Sequence, residues 1–195
     1  MKQILFIFII TLIGCNSNPK QEENSVETPE VVFEEPVYKE PKITGDKYFE
    51  YDELIHYKNK IREDQIGELY DNQKKSELDS LKMGVILNDT PKSISDTTFI
   101  KKLEKLGYLK TKIDSEKFDD INQIFTQKEH EEIYALACVY VYRDIMIFRR
   151  KSKIVGIAKI CFECSSSQIH GTKANKDGFG MSGDFDKLYK ILNEK

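Results

Sequence analysis

Cys161-Phe162-Glu163-Cys164 is the sharpest chemical signal in the chain, and Cys138 stands upstream of it. Three chemistries suit this set. The first is structural: thiols buried at a strand end, or a disulfide from Cys138 to either member of the pair. The second is thiol–disulfide exchange. Reactive Cys-x-x-Cys pairs sit at a helix N-terminus, which stabilises the thiolate. Here Ser165-Ser166-Ser167 follows instead, and no proline-bearing β-α-β context surrounds the pair. The third is metal, with Cys138, Cys161, Cys164 and His170 as four zinc ligands and His130 as an alternative. One such knuckle is half of a zinc site, and the partners lack the usual paired spacing. Covalent haem requires histidine right after the second cysteine, where this chain has Ser165. A structural role therefore ranks first, and no cofactor is expected.

Other candidate groups carry less. Gly178-Phe179-Gly180-Met181-Ser182-Gly183 matches G-x-G-x-x-G. A dinucleotide fold also needs a strand before it, a crossover helix and an acidic residue about 20 positions on. The sequence reaches only Lys195, so the stretch reads as a loop that lets a last helix fold back. His56, His130 and His170 are scattered, and His56 beside Tyr57 reads as a packed or surface histidine. Arg143 and Asp144 carry opposite charges suited to ion pairing across a sheet. Spacing alone assembles no Ser-His-Asp or paired-carboxylate set, so no catalytic residue is assigned.

Residues 142–164 must position the thiols. Ile145, Met146, Ile147 and Phe148 run together, too short for a helix and rich in β-formers, which suits a strand buried on both faces. A two-residue loop at Lys151-Ser152 sets Arg150 against Lys153 and Phe148 against Val155. That register places Tyr142 across from Cys161, with Cys138 sharing the Cys161 face and Cys164 on the other face or in the exit loop. Gly156 inside the second strand marks a bulge or a close backbone approach. The tip charges Arg149, Arg150, Lys151 and Lys153 repel one another and belong in water.

The rest of the chain covers this hairpin. Residues 47–57 alternate Phe49, Tyr51, Ile55 and Tyr57 on one strand face, with Glu53 as a flaw. Residues 62–81 have helix-forming composition and hold one or two helices. Val85-Ile86-Leu87 precedes a turn at 88–91. Residues 95–106 read as a helix capped by Ser95 or Asp96, with Phe99, Ile100, Leu103 and Leu106 inward and Gly107 as the stop. Residues 115–125 repeat the plan with Ser115 as cap. Residues 133–142 lead into the hairpin as a strand or as a helix end that turns into it, with the β-branched residues and tyrosines after Cys138 favouring strand there; 168–171 add a short strand, and 184–192 form a terminal helix with Phe185, Leu188, Tyr189 and Leu192 inward. The expected fold is α+β: an antiparallel sheet built on the C-terminal hairpin, with several packed helices.

The 195 residues are 32% charged and 39% hydrophobic, which permits one modest core. A net charge of −3 gives no reason to expect a nucleic-acid partner. Lys2 leads an apolar run from Ile4 to Ile13, too short for a mature membrane span and matched to a signal h-region. Leu12-Ile13-Gly14-Cys15 resembles a bacterial lipobox. The likeness implies cleavage before Cys15, diacylglycerol on its sulfur and acylation of its amine. Several acyl chains make a firm anchor where one would be marginal. Asn16 in place of aspartate points to the outer membrane, facing periplasm or surface. The organisation is thus 1–14 signal peptide, 15–45 lipidated cysteine with an acidic, Pro-containing tether, and 46–195 a single α+β domain. Within the tether, Val31, Val32, Phe33, Val37 and Tyr38 form an apolar exception.

From Cys138 onward the pattern resembles a group of exported bacterial lipoproteins without an assigned activity. The matching residues are Cys138, Tyr142-Arg143-Asp144, the apolar run to Phe148, Lys153-Ile154-Val155-Gly156, Ile160 to Cys164, Gly171-Thr172 and Gly183-Asp184. They cover the last third of the chain. The resemblance implies an address and a fold, and no catalytic residues. The expected function is a lipid-anchored envelope protein, a non-enzymatic binding or interaction module. Its alternative is a thiol-redox or metal-binding protein using Cys161 and Cys164. The expected partner is the membrane, through Cys15, with any protein partner unnamed.

Overall fold

The structure is a computed structural model that describes residues 42–130, 137–181 and 183–193, all within one unit, Val37–Lys195. The signal segment, Cys15 and the tether as far as residue 41 lie outside the described residues.

The apolar run of the hairpin becomes β5 (Asp144–Arg150), and the chain returns as β6 (Lys153–Cys161). Lys151 (φ 47°) and Ser152 (φ 64°) form the two-residue turn. Positive φ at both positions is the geometry that matches strand twist, here adopted without Asn or Gly. β2 (Glu53–Asn59) and β3 (Tyr108–Lys112) extend the sheet on one side, and β7 (Ser166–His170) on the other. The antiparallel order is β3-β2-β5-β6-β7. A separate two-stranded sheet pairs β1 (Lys42–Lys47) with β4 (Thr126–Glu129).

Arg150 pairs with Lys153 as expected, but Phe148 pairs with Gly156 and not Val155. A bulge at Val155 shifts the register by one. Next to it, a Cβ on Gly156 would run into the Phe49 ring, so only glycine lets Phe49 lie on the strand. The ladder then closes at Asp144 opposite Ile160, and Tyr142 lies outside it.

Strand alternation sends the β5 run both ways. Met146 and Phe148 join Leu54, Ala158, Ile160 and Ile169 on one face, under α3 (Phe118–Ile124) and α4 (Asp184–Asn193). Ile145 and Ile147 join Ile55, Tyr57 and Ile157 on the other. There α1 (Glu63–Asp71), α2 (Glu77–Ile86) and a 3₁₀ turn (Thr98–Lys102) cover them, with Val85, Ile86, Phe99 and Leu103 fully buried. Each such Ile or Phe contributes about 1.5–3 kcal/mol by leaving water. α2 starts at Ser76, whose Oγ accepts from the Asp79 N–H at 3.1 Å while the Asp79 carboxylate accepts from the Ser76 N–H, a capping box.

Several expectations change. Phe49 and Tyr51 pack on the α3–α4 side, whereas Ile55 and Tyr57 pack on the α2 side. The chain leaves extended pairing at 48–52, where the Asp52 carboxylate accepts from the Lys151 N–H at the hairpin tip, and the strand restarts in another phase. The 95–106 segment buries Phe99, Leu103 and Leu106 as expected but is 3₁₀ and short, bonding Ile100 N to Thr97 O and Leu103 N to Ile100 O. β-Branched Thr97, Thr98 and Ile100 are poor helix formers, and Gly107 (φ 93°) turns directly into β3. The helix of 115–125 opens with a 3₁₀ turn (Ser115–Lys117) capped by Asp114, not Ser115. Residues 137–143 are not a strand: the Tyr142 N–H donates to Ile86 O and its C=O accepts from the Tyr108 hydroxyl, so helical and edge elements take its backbone groups. Tyr189 is half-exposed against Phe162, not inward. β1, β3 and β4 were not anticipated.

Candidate functional site

Cys161 ends β6 and is buried, on the same sheet face as Ile157 and Lys159. A turn through residues 162–165 joins β6 to β7 and carries Cys164, which is bonded to Cys138 with Cα atoms 6.0 Å apart. Cys138 sits on the exposed 137–140 strap, so the disulfide fastens that strap to the sheet end. The two members of Cys161-x-x-Cys164 are therefore not partners. Cys161 is free, packs with Cys164 and Tyr142, and accepts from the Val141 N–H at 3.4 Å. Burial pushes its thiol above the ordinary range, which keeps it protonated and a poor nucleophile.

The metal candidates do not converge. Ser166 faces Cys161 across the ladder, while His170 lies four residues farther along β7, opposite Ile157. At about 3.3 Å per residue that separation is about 13 Å. Cys138 and Cys164 are joined to each other, and among the described residues no group of three or more His, Cys, Asp or Glu could hold a metal. His130 lies beside Gly178, at the start of the glycine loop. That loop turns at Gly178 (φ 70°) and Gly180 (φ 84°) and lets the Phe185 ring close over Gly180, a packing role as expected.

Charges at the hairpin base pair across the sheet, each with its own partner. Arg143 bonds Glu163 at 3.0 Å and Ile61 O at 3.0 Å. Asp144 bonds His56 at 2.7 Å, and both are buried. This His–Asp pair joins β2 to β5 and was not legible, because the partners are 88 residues apart.

A polar cluster sequence reasoning missed lies beside the thiols. Lys159 is fully buried on β6. Its Nζ donates to Asn88 O at 2.5 Å and Thr90 O at 3.0 Å, and sits 4.4 Å from the Tyr142 ring centroid. Burial pushes the ammonium down to about 7, against an opposing pull from Asp89. The lysine thereby pins the 88–90 loop onto the sheet. Its signal was a charge within the apolar run 154–160. Register places Gln168 opposite Lys159, and His170 two residues along on the same face.

Beyond this cluster is a cavity of about 420 Å³ lined by Asp89, Lys92, Ser167, Gln168, Ile169, His170 and Lys176. Gln168 Oε1 and His170 Nε2 are buried without a hydrogen-bond partner among the described residues. Burial lowers the His170 pKa, as do nearby Lys176 and Lys159, so the local potential is positive. β7 is an edge strand: beyond β6 it has no ladder partner among the described residues. A second cavity, about 350 Å³, lies by α3 and α4 next to the buried Lys128–Asp184 ion pair, which spans 2.5 Å.

Among the described residues no helix is long and apolar enough to cross a membrane. No protein-family model, curated protein or solved structure matches the chain.

Proposed function

We propose that this is a lipid-anchored cell-envelope protein whose α+β domain is a non-enzymatic binding module. The observation that carries the binding role is the cavity of about 420 Å³ at the β7 edge, which is unpaired among the described residues. Ligand sites are concave, with a few polar groups that fix orientation. The address rests on Lys2, the apolar run and Leu12-Ile13-Gly14-Cys15. The Cys138–Cys164 disulfide supports it, because such bonds persist in oxidising compartments and are rare where thiols are kept reduced. Acyl chains at Cys15 hold the chain at the membrane, outer rather than inner. Metabolic labelling with an alkyne-bearing palmitate tests this. Label and membrane association are expected in the native chain and absent in Cys15→Ser; a labelled Cys15→Ser protein, or an unlabelled native one, refutes the anchor.

A second reading follows from one contact. Free Cys161 packs against Cys164 of the disulfide. Attack of a Cys161 thiolate on Cys164 Sγ would form a Cys161–Cys164 bond and expel Cys138 as a thiolate, with no outside oxidant. The raised Cys161 pKa works against it. Trapping with an alkylating reagent distinguishes the cases: Cys138 modified in the native chain without reductant favours exchange, and its protection rules exchange out.

A further inference from the structure

We infer that the β7-edge cavity binds the carboxylate-bearing end of an extended peptide. The inference rests on the binding-module reading and assigns its ligand class. Four features of the cavity converge on this chemistry.

The first is charge. Lys92 and Lys176 both line the cavity. Lys176 Nζ donates one bond, at 3.0 Å, to Ile169 O, and an ammonium carries three donors. Both lysines can bond a carboxylate by charge-assisted bonds, roughly twice as strong as neutral ones. The second is the strand edge. Ile169 O accepts from Lys176, so the Ile169 backbone faces away from β6. Backbone groups of an antiparallel strand alternate in direction, so the Ser167 N–H and C=O face the same way. An extended peptide adds to such an edge by main-chain bonds, the mode called β-augmentation. The third is the pair of buried side-chain atoms, Gln168 Oε1 and His170 Nε2, which have no partner among the described residues. Burying an unsatisfied polar atom is unfavourable, and a small side-chain rotation toward a peptide amide satisfies each. The fourth is Asp89. Its carboxylate gives the cavity one negative corner, which repels polyanions such as nucleic acid and accepts from a peptide N–H.

The geometry thus selects against the simpler alternatives. A bare anion would use the lysines and leave the strand edge and Gln168 unread. A polyanion meets Asp89. A peptide ending in a free carboxylate engages the cations, the edge and the amides together.

The test uses the full-length mature protein purified in detergent micelles. Tri-alanine, its C-terminal amide and acetate are titrated by calorimetry and by NMR of the His170 ring. Tri-alanine is expected to bind saturably and shift the His170 resonances, with the amide and acetate each at least about tenfold weaker: the amide loses the charge-assisted contacts to the lysines, and acetate keeps those but loses the main-chain bonds along the strand edge. Lys92→Ala and Lys176→Ala are each expected to weaken tri-alanine severalfold. Among the described residues it is Lys176 that bonds the β7 backbone, at Ile169 O, and Lys92 has no such bond, so the Lys92 variant stays informative if Lys176→Ala loosens β7. Absence of saturable binding, equal binding of the amide, or unmoved His170 resonances would overturn the assignment. If that happens while palmitate labelling at Cys15 holds, the peptide assignment fails and the anchored module stands.

Discussion

Replacing Lys159 by methionine should change how stability depends on pH. The side chain is fully buried, and its ammonium is pushed from 10.5 down to about 7. The sign follows from proton counting. Between pH 7 and 10.5 the unfolded chain holds the Lys159 proton more than the folded chain does, so native stability rises with pH across that window. Below pH 7 both forms are charged and the full penalty applies. At pH 7 the linkage amounts to at most about 4 kcal/mol, and from pH 7 to 8.5 it shrinks by about 1.5 kcal/mol. These are upper figures, because Asn88 O, Thr90 O and the Tyr142 ring all favour the ammonium. The window stops at 8.5 because Cys161 and several tyrosines have raised pKa values and pull the other way above it. Urea unfolding of the native chain and Lys159→Met at pH 6, 7, 8 and 8.5, with the disulfide kept, isolates the effect. The difference, variant minus native, should be nearly flat from pH 6 to 7 and then fall by up to about 1.5 kcal/mol by pH 8.5. Two parallel curves would mean that Lys159 titrates as an exposed lysine, and the description of the 88–90 loop pinned on β6 would be wrong.

Cys164→Ala should cost about 3.5 kcal/mol by freeing the loop between residues 26 apart, while Cys161→Ala should cost only about 1 kcal/mol; chemical denaturation measures both. Gly156→Val should cost about 1–3 kcal/mol or more, because the new side chain overlaps the Phe49 ring, and a near-neutral midpoint would remove that ring from the strand. Asp144→Ala strips His56 of its buried partner and should cost about 1–3 kcal/mol, whereas Asp64→Ala, in a solvent-exposed ion pair with Arg62, should leave the unfolding midpoint nearly unchanged; chemical denaturation compares the two.

The hairpin was legible because its signals are local. Four apolar residues, a polar turn and a second apolar run specify two strands, and the run through Ile145 to Phe148 correctly announced burial on both faces. The register was off by one because the ladder was carried through without the bulge that Gly156 signals; the ring that packs on Gly156, Phe49, comes from more than a hundred residues away and leaves no local trace. The apolar stripe of 99–106 was legible but its geometry was not, since 3₁₀ and α spacing bury nearly the same positions over so short a span. β3 escaped because its sequence, Tyr108 to Lys112, is the lysine-bearing sequence of an exposed edge strand, which carries little apolar alternation. The disulfide required knowing that 137–143 leave the ladder. Without that, Cys138 fell on the Cys161 face. The cavity was invisible for the same reason as the His56–Asp144 pair: Asp89, Lys92 and Lys176 meet β7 only through tertiary structure. Lys159 alone left a trace, a charge in an apolar strand.

Disulfide mapping tests the core of this account most directly. Cells are quenched with an alkylating reagent, and the protein is digested without reduction and analysed by mass spectrometry. A peptide joining Cys138 to Cys164 is predicted, with Cys161 alkylated only after unfolding. A Cys161–Cys164 link, or all three thiols alkylated in the native chain, would contradict the strap, the turn at the end of β6 and the oxidising address together.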